Sequence, residues 1–204
     1  MRGEFLKPHP STNKPLANIS EPKPFSALST PPFRTILDCT LSSCQRYRYR
    51  LCVALLPKWS DAPTLTIILK NPSTADAQRG DPTTGKVEAW ARHQGIGVVT
   101  YLNLFALRSP YPHAINTVSY AEAVGEQNDR TIHTGLKSTQ TVVIAWGNPN
   151  GINAIRYQQR ISEVTTLLQH SRKIVQTVGD RTLLGYPRHG LQWRKEMEIT
   201  RLGD

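Results

Sequence analysis

The chain has 204 residues, 38% of them hydrophobic, and a domain of about 150 residues buries roughly 68–70% of its unfolded surface, so one autonomous core and a tail fit this length. Its formal charge of +10 favours a polyanion, nucleic acid being the commonest; charge that serves only solubility is the plain alternative. Cys39, Cys44 and Cys52 form no Cys-x-x-Cys pair, which argues against a disulfide framework and a four-thiolate metal centre, and no run approaches the ~20 apolar residues of a membrane span.

Residues 1–34 set Pro8, Pro10, Pro15, Pro22, Pro24, Pro31 and Pro32 among Ser, Thr, Asn and Lys with little apolar periodicity. Such a stretch buries too little surface to offset its ordering entropy, and a disordered basic tail is predicted. A single α/β domain is predicted over 35–204. Tyr47, Tyr49, Leu51, Val53 and Leu55 alternate with other residues, the period-2 pattern of a half-buried strand. Leu65-Thr66-Ile67-Ile68-Leu69 is a short apolar run suited to a strand covered on both faces.

Asp81-Pro82 reads as an N-cap with proline at the first helical position, and the helix runs with Val87, Trp90 and Ala91 inward to Gly95. A strand over 98–102 follows, then helices over 120–124 and 128–136 and a buried strand over 141–145. Ile152, Ile155, Ile161, Val164 and Leu168 keep the period of an amphipathic helix over 151–170, and the last central strand covers 173–178. Strand and helix alternate, which predicts a mostly parallel sheet of four to five strands joined by helices.

Four of these strands run straight into clusters of polar residues: Asn71-Pro72-Ser73-Thr74-Ala75-Asp76, Asn103 to Arg108, Trp146-Gly147-Asn148-Pro149-Asn150, and Gly185-Tyr186-Pro187-Arg188-His189. In an open α/β sheet the ligand sits beyond the carboxyl ends of the strands, so these loops predict one site. Pro72 holds Asn71 extended at its strand end, where the amide can position water or a ribose; a plain Asx turn is the structural alternative. Ser73 shares that loop, and Asp76 is the carboxylate expected to orient water. Asp81 is read as a cap before a catalytic group.

Asn103 carries a donor and an acceptor side by side, able to read a base edge. Phe105 offers a stacking face, and Arg108 suits a phosphate; strand cap, core ring and surface ion pair are the competing roles. Trp146-Gly147 suggests close backbone approach at the site. His189, beside Arg188, is a candidate acid or donor to a leaving anion. No Gly-rich phosphate loop, nucleophile elbow or His-Glu-x-x-His motif occurs, and no metal or cofactor is expected.

The same residues, with Asp81-Pro82-Thr83, Gly125 and Asn128-Asp129, resemble the bacterial and phage family called domain of unknown function 1643, over about residues 45–193. Lys70, where the family is usually apolar or small, and Gly190, where a proline is expected after His189, depart from its pattern. More distantly the motif order is similar to the uracil-DNA glycosylase superfamily. That resemblance implies a three-layer α/β/α fold, a water-positioning Asn71-Pro72 loop, a stacking Phe105, a base-reading Asn103 and a leaving-base loop at Pro187-Arg188-His189.

The resulting expectation is a cytoplasmic, monomeric N-glycosidase that hydrolyses a base–sugar bond in DNA or a nucleotide. Asn71, Asp76 and His189 would do the chemistry, and Pro72, Ser73, Asn103, Phe105, Arg108, Trp146, Gly147 and Arg188 would bind substrate. A non-catalytic nucleic-acid or nucleotide-binding module and a small-molecule nucleotide hydrolase are the alternatives.

Overall fold

The computed structural model describes residues 32–73, 81–139 and 141–202; the predicted tail before Pro32 and Asp76 lie outside them. Among the described residues the elements run β1 (Thr35–Leu41), β2 (Arg48–Ala54), β3 (Thr64–Leu69), α1 (Pro82–His93), β4 (Val98–Asn103), α2 (Tyr120–Val124), α3 (Asn128–Lys137), β5 (Thr141–Ile144), α4 (Ala154–Ser171), β6 (Ile174–Val178) and β7 (Ile199–Arg201). No helix among them is long and apolar enough to cross a membrane.

The strands form one sheet in the order β1-β2-β4-β3-β5-β6-β7, so the expected four to five strands become seven. The middle four are parallel, while β1, β2 and β7 add antiparallel flanks. Neither β1 nor β7 was predicted. β1 mixes Asp38 and Thr40 with apolar residues, and β7 is three exposed residues with no period to read. β2 differs from its expected half-buried state: six of its seven residues are buried, because β1 and β4 flank it and apolar layers cover the sheet.

From β3 the chain moves through α1 to β4 on one side, then returns through α3 to β5 on the other. The strand order thus reverses between β3 and β5, the switch point where doubly wound sheets open a crevice. The two faces are covered separately. Val87, Trp90 and Ala91 of α1 pack with Leu51, Ile67 and Val99, and Ile132, Leu136, Val164 and Leu168 of α3 and α4 pack with Ile68, Leu102 and Val142. Each fully buried side chain of this size contributes about 1.5–3 kcal/mol. Ile155, predicted inward on α4, is 80% exposed, since it lies in the first turn, beyond the packed stripe.

α1 begins as its sequence predicts. Asp81 accepts from the Thr84 amide at 2.7 Å, the Thr84 hydroxyl accepts from the Asp81 amide at 3.0 Å, and Pro82 opens the first turn. On the opposite face Arg160 of α4 is fully buried; its Nε donates to Leu104 O and its other nitrogens bond Asp129 and Glu163. Asn128 donates to Asn103 O and Leu104 O. Asn128 holds the end of β4 in place directly, and Asp129 does so through Arg160.

Candidate functional site

The first residues of the loop after β3 are held on both sides of Pro72. Ser109 N donates to Pro72 O at 2.9 Å, and the Asn71 amide nitrogen donates to Ser109 O at 2.9 Å and Pro72 O at 3.3 Å. With its NH₂ so occupied, Asn71 presents Oδ1 as an acceptor. Ser73 donates to Asp81 Oδ2, whose other oxygen caps α1. Asp81 thus combines the structural duty read from the sequence with a place at the site.

His189 is held from behind. Its backbone passes over Gly147, where a Cβ would lie 2.7 Å from His189 Cβ; Gly147 also has φ +68°, which disfavours any side chain there. Tyr157 anchors that turn by donating to Trp146 O and Gly147 O at 3.1 and 2.7 Å. Gly190 does not loosen the loop, as its departure from the family pattern suggested. A Cβ there would lie 2.7 Å from Val87 Cγ2 and 3.4 Å from Leu69 Cδ2, so the chain presses against α1 and β3, and glycine permits the approach.

Between these two loops lies a pocket of about 280 Å³, lined by Lys70, Asn71, Ser73, Asp81, Asn150 and His189 among others. It sits beyond the carboxyl ends of β3 and β5, at the switch point. Leu191 N donates to His189 Nδ1 at 3.2 Å, so a neutral imidazole carries its hydrogen on Nε2. Burial first, then the nearby Lys70 ammonium, hold the His189 pKa down to about 4 against the opposing pull of Asp81. At neutral pH His189 is an uncharged hydrogen-bond donor.

Lys70 is a pocket residue that the sequence reading noted only as a departure from the family pattern. It is 2% exposed, lines the pocket, and places Nζ 5.8 Å from the centre of the Tyr157 ring. Burial lowers its pKa to about 8. A lysine closing a doubly buried apolar strand was the available signal. Arg48, 2% exposed, also lines the pocket, and was hidden in an alternating strand.

A family model matches residues 48–191, from the start of β2 to just past His189, and describes a protein of unknown function (DUF1643). The chain belongs to the DUF1643 family. No curated protein and no solved structure matches the chain.

In this DUF1643 protein the expected site residues divide. Asn71, Ser73 and His189 line one pocket; Pro72 and Gly147 support it from the backbone. Phe105 has no exposed surface and packs edge-on to Tyr120 at 6.5 Å, so it offers no stacking face: its loop turns inward over α2. Asn103 is 1% exposed and Trp146 3%, and neither lines the pocket. Arg108 donates to Gln45 O and Arg188 to Asp180 O, and neither lines the pocket. Of the cysteines, Cys52 is buried, Cys44 exposed and Cys39 between.

Proposed function

We propose that the pocket hydrolyses a base–sugar bond, acting as an N-glycosidase on nucleic acid or a nucleotide. The observation that carries this reading is a neutral His189, with Nε2–H as donor, in one pocket with Asn71, Ser73 and Asp81. Departure of a base leaves its bonding electron pair on a ring nitrogen, and negative charge spreads to the base's oxygens. A neutral imidazole donor stabilises that charge without giving up its proton.

Asn71 Oδ1 accepts from the attacking water, and Asp81 receives the proton that the water loses as it adds to the anomeric carbon. An amide is no general base, so Asn71 positions the water while Asp81 takes its proton and His189 stabilises the leaving charge. Leu69, Pro110, Pro112 and Leu191 supply the apolar walls for a flat ring, in place of the aromatic stack expected from Phe105. At about 280 Å³ the pocket lies just below the usual 300–1,000 Å³ of small-molecule sites, a size suited to a base that has left its stack.

The test is incubation with nucleotides and with oligonucleotides carrying uracil, hypoxanthine, and methylated or hypermodified bases, with free base followed by mass spectrometry. Release by the wild type and loss in His189→Ala supports the reading. Salt-sensitive binding without release from any substrate refutes it in favour of a binding module.

A further inference from the structure

Lys70 sets a physical problem that the proposed hydrolysis leaves unsolved. A buried ammonium is costly unless an anion or several acceptors surround it. Here the side chain is 2% exposed, and among the described residues the Tyr157 ring is the one charge-stabilising neighbour of its ammonium. A tyrosine face compensates a cation only in part. The side chain lines the same pocket as His189, whose pKa the Lys70 charge lowers.

The groups around it favour a ligand that only accepts hydrogen bonds. Lys70 offers three N–H donors, neutral His189 offers Nε2–H, and Asn150 on the pocket wall adds an amide.

We infer that this part of the pocket is an anion site in which Lys70 binds a phosphate group, so that the substrate enters as a nucleotide and not as a free base or nucleoside. The anion site stands on the geometry; that its phosphate belongs to a nucleotide rests on the glycosidase reading. Phosphate oxygens accept from Lys70 and His189 together, and the bound phosphate supplies the counter-charge that the described residues do not.

The experiment is a calorimetric titration of the full chain with inorganic phosphate, repeated on Lys70→Met and on Arg188→Gln, a change at an arginine that does not line the pocket. Losing a charge-assisted contact should weaken phosphate binding by about tenfold or more in Lys70→Met and leave Arg188→Gln like the wild type. Equal affinity in wild type and Lys70→Met, or no phosphate binding by the wild type, overturns the inference. Thermal unfolding of Lys70→Met, expected no lower than wild type, guards against a misfolded variant.

Parallel titrations with a nucleoside, its 5′-monophosphate and a single-stranded oligonucleotide identify the phosphate's source. A Lys70-dependent gain of monophosphate over nucleoside marks a free nucleotide; Lys70 dependence confined to the oligonucleotide marks a phosphodiester backbone. Lys70-dependent phosphate binding without base release from any substrate refutes the glycosidase and leaves the anion site standing. Base release by Lys70→Met at the wild-type kcat/KM refutes the role of Lys70 in substrate binding and leaves the glycosidase standing.

Discussion

Replacing Lys70 by methionine is expected to make the protein more stable at neutral pH, the reverse of most changes to a buried residue. Methionine keeps the length and flexibility of the lysine stem and removes the ammonium. Burial lowers the Lys70 pKa from 10.5 to about 8, and each tenfold change in proton affinity is worth 1.36 kcal/mol. The charged form therefore destabilises the fold by up to about 3 kcal/mol, and the variant should recover much of that.

The pH dependence follows from the sign of the shift. Below about pH 8 both folded and unfolded chains carry the proton, and the full penalty is present. Between about 8 and 10.5 the unfolded chain binds more protons, so wild-type stability rises relative to the variant. Urea unfolding of both proteins at pH 7 and pH 10 measures the difference, in which the titration of every other group cancels. A gap near 3 kcal/mol at pH 7 that narrows at pH 10 agrees with a buried, uncompensated ammonium. A variant less stable than wild type at pH 7, or a gap independent of pH, would refute it.

Three further outcomes are expected. His189, with its pKa held at about 4 against about 6.5 when unfolded, contributes stability above pH 6.5 that is lost as pH falls toward 4. Unfolding of His189→Gln should lack that acid-side loss, and the wild-type imidazole proton shifts should stay flat by NMR from pH 5.5 to 8. Gly147→Ala places a Cβ 2.7 Å from His189 Cβ at a backbone with φ +68°, which should cost about 1–3 kcal/mol by chemical denaturation and move the His189 resonances. Gly190→Ala meets Val87 Cγ2 at 2.7 Å and should lose a similar amount; if the clash is the cause, the double change with Val87→Ala should cost less than the sum of the single changes.

The parallel core was legible because it is local. The apolar run at Leu65–Leu69 and the Asp81-Pro82 cap carry their own periods and capping chemistry, and the structure places β3 and α1 where they predict. The added strands were not, because β1 pairs with β2 in register Thr35 to Ala54, and β7 with β6 in register Gln176 to Arg201. Such pairings depend on partners that a local window does not contain.

The candidate site divides in the same way. Its place beyond the strand ends was determined by chain order alone, since polar loops that follow buried strands emerge at one edge of a parallel sheet. Asn71, Ser73 and His189 were found by that rule. Which loop side chains reach the pocket was decided only in three dimensions: Phe105 and Trp146 turn into the apolar layer with Leu104 and Ile144, while Lys70 and Arg48, from the ends of β3 and β2, line the opening. A charged residue in an apolar run announces an exception to burial, but not what faces it. That depends on which loops fold over it, and here the fold sets Lys70 against Tyr157 and beside His189, with the pocket as the place for its counter-charge.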